Sequence, residues 1–253
     1  MKIVISPAKS LDFETEYPLV GQDQPAFLKE ATSINKVLAK KKPKALSALM
    51  HISEKLSQLN WVRNQQFKVP FTTGNARPAI YAFNGDVYQG LDAYSLSSDK
   101  IDQLQDTLRI LSGLYGILKP KDLIQPYRLE MGTQLKIGRN KNLYAFWKAR
   151  VTSFLNAELS DGELFINLAS NEYFSAIDAK KLKVDVITPI FKDWNGDNLK
   201  VISFFAKKAR GSMVRYIIES NARTLADVKG FNLDGYEYSQ AHTLKENEPV
   251  FIR

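Results

Sequence analysis

The chain has 253 residues, 44% of them hydrophobic, and carries 35 Lys and Arg against 27 Asp and Glu, a net charge of +8. Cysteine is absent and the two histidines, His51 and His242, are far apart, which excludes disulfides, iron–sulfur clusters, thiolate chemistry and a His-rich metal centre. The cationic surplus favours nucleic acid, phosphorylated metabolites or acidic membrane surfaces as partners, although a basic surface with no dedicated partner fits it equally.

A chain of this size and apolar content buries roughly 70–75% of its unfolded surface, so one ordered domain over 1–253 is expected. The opening MKIVISPAKS lacks the apolar stretch and cleavage site of a secretion signal. No run approaches the ~18 apolar residues of a membrane span. The cytoplasm is the expected location.

Lys2 to Ile5 reads as a buried strand ending at Ser6-Pro7. From Pro25 to Leu38 the apolar residues Phe27, Leu28, Ala31, Ile34, Val37 and Leu38 have helical spacing. That segment runs into Lys36, Lys40, Lys41, Lys42 and Lys44, five lysines in nine residues. Pro43 interrupts, and Leu46, Leu49, Ile52, Leu56 and Leu59 mark a second helix. Ile80 to Phe83 and Val87-Tyr88 read as short strands around an Asn84-Gly85-Asp86 turn. Asp99 to Leu111 is periodic as a helix, and Leu164 to Leu168 is a strand. Val184 to Ile187 and Val201 to Phe205 read as strands flanking an Asn195-Gly196-Asp197 turn, and Ser212 to Asn221 as a helix. Without regular βαβ spacing the pattern predicts an α+β (mixed α/β) single domain, a mixed sheet core surrounded by helices.

Five segments carry chemistry. In Ser6-Pro7-Ala8-Lys9 the strand end and proline suggest a helix capped by Ser6, whose amides and Lys9 form an anion site; an ordinary Ser-Pro turn is the alternative. Phe204 to Ser212 holds Lys207, Lys208 and Arg210 before Gly211-Ser212, a phosphate loop with Ser212 as N-cap, or a solvated loop. Arg215 either joins it or pairs with Glu219 four residues on. Leu108 to Lys121 contains Gly113, Tyr115, Gly116, Lys119 and Lys121, a helix running into a Gly-x-x-Gly turn or a plain glycine stop. Ala45 to Leu59, hinged near Met50-His51, is a second candidate for the same unit but has no glycine. Arg128 and Glu130 lie on one side of an extended segment, as a phosphate fork with its orienting carboxylate or as a structural ion pair. Asn171 and Glu172 follow a buried strand, Arg77 adds a further cation, and Asp12 and Glu130 complete the polar candidates.

ISPAKSLD at the start, LSGLYGILKP and QPYRLEMG in the middle, INLASNEYF, and ISFFAKKARGSMVRYII near the end resemble, in order and over essentially the whole chain, the peroxide stress protein YaaA family. That resemblance implies a single-domain cantaloupe fold with a positively charged cleft and a helix-hairpin-helix element. It further implies binding to duplex or branched DNA, recombination-linked repair, protection against hydrogen peroxide and limitation of free iron. It brings no established reaction and so no catalytic residue. The cleft cations would be Lys9, Arg77, Arg128, Lys207, Lys208 and Arg210, and the hairpin Gly113 to Gly116.

The leading expectation is therefore a sequence-nonspecific DNA binder holding phosphates through Ser6, Lys9, Arg77, Arg128, Lys207, Lys208, Arg210 and Arg215. The alternative is an enzyme acting on a nucleotide or another phosphorylated substrate, with Asp12, Glu130, Asn171 or Glu172 in its pocket. No cofactor, no metal site and no membrane contact is expected. A monomer is the expected state. Direct iron binding is disfavoured, because no paired Glu-x-x-His is present.

Overall fold

The computed structural model describes residues 1–18 and 21–253. Its centre is a five-stranded sheet of β1 (Lys2–Ile5), β2 (Leu108–Ser112), β3 (Gly116–Leu118), β4 (Phe165–Leu168) and β5 (Val186–Ile187), in the order β3-β2-β1-β4-β5. Strands β2, β1, β4 and β5 are parallel; β3 returns antiparallel beside β2. Ile3, Val4 and Ile5 are buried from both faces, as are Leu108, Ile110, Phe165 and Ile166. Continuous apolar runs of this kind, rather than alternating ones, are what a parallel sheet covered on both sides requires. A second sheet of β6 (Ile190–Asn195), β7 (Asn198–Lys200), β8 (Glu237–Tyr238) and β9 (Val250–Ile252) packs near the C-terminus in the order β7-β6-β9-β8. The architecture is thus mixed α/β, and Asn195-Gly196-Asp197 makes the expected hairpin turn, with Gly196 at φ 60°.

Helices α1 (Leu28–Ala39), α2 (Pro43–Met50) and α3 (Glu54–Gln66) form one layer, followed by α4 (Asp86–Leu91), α5 (Ser98–Thr107), α6 (Leu143–Glu158) and α7 (Ser203–Glu219). Pro43 starts α2, where its missing N–H costs nothing. The periodic segment 46–59 is therefore two helices, broken at His51, which takes a left-handed conformation (φ 53°), and Ser53 caps α3. The face of α3 that packs inward is polar: Ser57, Asn60 and Asn64 are buried while Leu56 and Leu59 are exposed. Asn35 of α1 donates to the Asn64 carbonyl at 3.0 Å, which satisfies part of that polar seam.

Several expected elements differ. Val201–Phe205 is no strand, because α7 begins at Ser203. Ile80–Phe83 is mostly a helical turn (Ala79–Ala82), and Val87-Tyr88 lies in α4. Helix α5 ends at Thr107, so Leu108–Leu111 belongs to the buried sheet, where tertiary burial overrides local period. No helix among the described residues is long and apolar enough to cross a membrane.

Candidate functional site

The chain leaves β1 toward β2 on one side, whereas β4 and β5 lie on the other. The carboxyl ends of β1 and β4 therefore flank a reversal of strand order, where open α/β sheets leave a crevice for ligands. The loops at this point are Ser6–Lys9 and Ala169–Glu172. They are stitched together, since Ser6 Oγ accepts the Ser170 N–H at 2.9 Å and lies 3.3 Å from Ser170 Oγ. Tyr88 Oη donates to the Ser6 carbonyl at 3.1 Å.

No helix follows Pro7, so Ser6 caps nothing of its own; the chain runs extended into Ser10-Leu11, paired with Phe83-Asn84. Lys9 is thereby sent across the crevice, where Nζ lies 2.7 Å from Glu130 Oε2. Arg128 Nη2 approaches the other oxygen of Glu130 at 3.4 Å. Glu172 Oε1 accepts the Gly132 N–H at 2.9 Å. These side chains line a cavity of about 530 Å³ closed on one side by Leu49, Met50 and His51 from the α2–α3 turn. Burial pushes the hydroxyls of Tyr88, Tyr127 and Tyr173 well above the usual phenol range, and for Tyr173 the carboxylates of Glu172 and Glu130 add to it.

A second cavity of about 410 Å³ is lined by Arg63, Gln66, Thr73, Arg77, Phe13 and Tyr17, among others, with no acidic side chain in its wall. Burial, and then the neighbouring Arg128 charge, lower the Arg63 pKa. Arg63 makes no ion pair among the described residues, and its Nη1 reaches only Asn60 Oδ1 at 3.4 Å. Arg128 Nε is buried without a hydrogen-bond partner. Two guanidiniums held near each other, one of them incompletely satisfied, are stabilised by an anion between them.

Charge is concentrated in the α1–α3 layer. Segment 28–68 contains Lys29, Lys36, Lys40, Lys41, Lys42, Lys44, Lys55, Arg63 and Lys68 against Glu30 and Glu54, a surplus of seven in a chain whose total is +8. None of the five lysines from Lys36 to Lys44 makes an ion pair among the described residues.

Of the residues singled out from sequence, Ser6, Lys9, Arg128, Glu130 and Glu172 meet at the crevice, with exposed Asn171 opening the one-turn helix beside them. Arg77 does not offer its charge outward. It is 4% exposed and donates to the carbonyls of Tyr81 and Thr15 and to Tyr94 Oη, with its plane over the Tyr17 ring. Asp12 caps the Glu14-Thr15 turn, and hydrogen bonds from the Thr15 hydroxyl and from both amides hold its carboxyl down to about 2.

The Lys207–Arg210 segment is helix, not loop. Lys207 lies 4.0 Å from Asp86 and Lys208 3.1 Å from Asp234, while Arg210 is largely buried, and that burial lowers its pKa. Ser212 is no N-cap; it sits in mid-helix and bonds the Lys208 carbonyl and Asp234. Gly211 is where α7 meets α4, since a Cβ there would fall 1.8 Å from the Val87 carbonyl oxygen. Lys207 still flanks the crevice loop, because Asp86 adjoins Gly85, whose Cβ position would lie 3.1 Å from Ala8 Cβ. Arg215 bonds Glu219, Ser95 and the Leu91 and Asp92 carbonyls, the structural alternative.

Gly113–Gly116 is a β-hairpin rather than a helical one. Gly113, Leu114, Tyr115 and Gly116 are all buried, and Gly116 (φ 71°) packs under Trp147. Lys119 pairs with Glu158 at 3.0 Å and Lys121 with Asp102. The second segment singled out, Ala45 to Leu59, is a pair of helices, α2 and α3, joined at left-handed His51. Sequence reading missed Arg63, whose helix shows no clean amphipathic period to mark it.

The description "Peroxide stress protein YaaA" belongs to a family model that matches residues 1–242. The chain belongs to that family. It is 63% identical over 253 residues, the full length of both chains, to a UPF0246 protein of Flavobacterium johnsoniae, and 62% identical over the same span to one of Flavobacterium psychrophilum. A UPF0246 protein of Hahella chejuensis is 51% identical over 243 residues, 95% of each chain. The YaaA family resemblance of the motifs thus extends along the entire chain.

Proposed function

We propose that this protein grips the phosphates of duplex or branched DNA in its basic crevice, largely without reading sequence, as a cytoplasmic monomer acting in the peroxide stress response. The observation that carries the proposal is a surplus of seven positive charges on the α1–α3 layer, without ion pairs among the described residues, in the same layer whose α2–α3 turn lines the cavity of Lys9 and Arg128. Phosphate contacts from Lys and Arg supply most nonspecific affinity, and a helical hairpin at the crevice edge is a scaffold suited to a curved backbone. DNA protection and repair would follow from such binding, and an effect on free iron would be indirect.

A second reading is catalysis on a phosphorylated substrate. It is favoured by the carboxylates Glu130 and Glu172 facing Lys9 and Arg128 around one cavity at the strand-order reversal.

Fluorescence anisotropy of a labelled duplex over roughly 50–200 mM salt tests the first reading, which expects affinity to fall log-linearly with salt. Absence of salt-sensitive binding to duplex, junction and single strand alike would reject it in favour of the second.

A further inference from the structure

The cavity beside α3 is separate from the Lys9–Glu130 crevice but adjoins it through Arg63 and Arg128. Its volume, about 410 Å³, is in the range of about 300–1,000 Å³ that small-ligand sites occupy. Its walls combine three chemistries: cationic Arg63, aromatic Phe13 and Tyr17, and the polar, exposed Gln66 and Thr73. Phe13 is half-buried, lines the cavity and makes no aromatic pair among the described residues. Tyr17 is fixed as a wall instead, stacked on Tyr81 at 5.5 Å and covered by Arg77 at 4.6 Å. Gln66 and Thr73 make no side-chain hydrogen bond within the described residues, leaving amide and hydroxyl free for a ligand.

We propose that this cavity takes one unpaired nucleotide, its phosphate held by Arg63 and its base against Phe13 with Gln66 and Thr73 at its polar edge. A guanidinium with no carboxylate partner, in a wall without acidic side chains, matches a phosphate. An aromatic side chain in the same wall as that guanidinium matches a base, since stacking tolerates any of the four. The unit comes either from DNA, as an extrahelical or frayed nucleotide, or from a free nucleoside monophosphate. The DNA source rests on the DNA-binding reading above, and gives that reading a preference for damaged, bulged or branched sites over intact duplex.

The test compares three probes: an intact duplex, the same duplex with one bulged nucleotide, and free deoxyadenosine monophosphate. Wild type is expected to bind the bulged duplex about ten-fold tighter than the intact one. Phe13→Ala removes that preference and leaves intact-duplex affinity unchanged. Because Phe13 also touches the core, Thr73→Trp is the second variant; it fills the cavity mouth from an exposed position and has the same effect without threatening the fold. Equal binding of intact and bulged duplex by wild type overturns the pocket and leaves DNA binding standing. Binding of the free nucleotide that Thr73→Trp abolishes, with no binding to any DNA, supports the pocket and rejects its DNA source. No binding to any probe overturns both.

Discussion

Lys9 and Glu130 meet across the crevice from separate loops, Nζ to Oε2 at 2.7 Å, and the same carboxylate turns its other oxygen to Arg128. One acid thus occupies two cations that would otherwise face a phosphate. Lys9 is 63% exposed, and an ion pair that open to water contributes only about 0–1 kcal/mol. Displacing it costs little.

Glu130→Gln should therefore leave thermal stability nearly unchanged while tightening duplex binding by about two- to ten-fold at low salt. The slope of log affinity against log salt should steepen by about one. Titrations of both proteins by anisotropy decide it; equal or weaker binding by the variant means the pair does not face the bound anion.

Arg63→Gln and Arg128→Gln should each lower duplex affinity by about three- to thirty-fold and reduce the salt slope by about one. Removing Arg63 also relieves its repulsion by Arg128, so its melting temperature should hold or rise. Loss of fold together with loss of binding would instead make Arg63 structural.

Gly211→Ala should destabilise the domain by about 2–3 kcal/mol, because its Cβ would overlap the Val87 carbonyl, and across the same contact Gly90 lies against the Lys208 carbonyl. Urea unfolding measures it. An unchanged midpoint would mean that α4 and α7 separate at little cost.

Asp122 gives the stability a pH dependence. Burial raises its carboxyl to about 7, against about 3.9 in the unfolded chain. Between these values the folded state holds a proton that the unfolded state has lost, so stability falls as pH rises from about 4 to 7 and is flat above. Asp122→Asn should flatten that slope in denaturant titrations taken across the window, and a slope identical to wild type would assign it to other groups.

Much of the scaffold was legible in the sequence because burial wrote it there. Lys2–Ile5 and Phe165–Leu168 are apolar runs too short for helices, and Asn195-Gly196-Asp197 has the residues its turn demands. Crevice residues Ser6, Lys9 and Glu172 stood out because they follow buried strands closely, and Arg128 and Glu130 because a cation and a carboxylate alternate on one side of an extended segment. Other features depend on long-range contacts that no local window contains. Gly211 looks like a loop glycine until α4 is seen against it, and Leu108–Leu111 keeps a helical period inside a strand. Arg63 was hidden on a helix whose buried face is Ser57, Asn60 and Asn64. Arg77 and Arg215 are cations satisfied by carbonyls and carboxylates distant in sequence.

The most direct test is the salt dependence of duplex affinity for wild type beside a Lys40/Lys41/Lys42/Lys44→Ala variant, with Lys207/Lys208/Arg210→Ala as comparison. The account predicts that the four-lysine variant, folded as wild type, loses at least about ten-fold in affinity at low salt and about three to four in slope, more than the comparison variant loses. Affinity and slope equal to wild type in the four-lysine variant would contradict it.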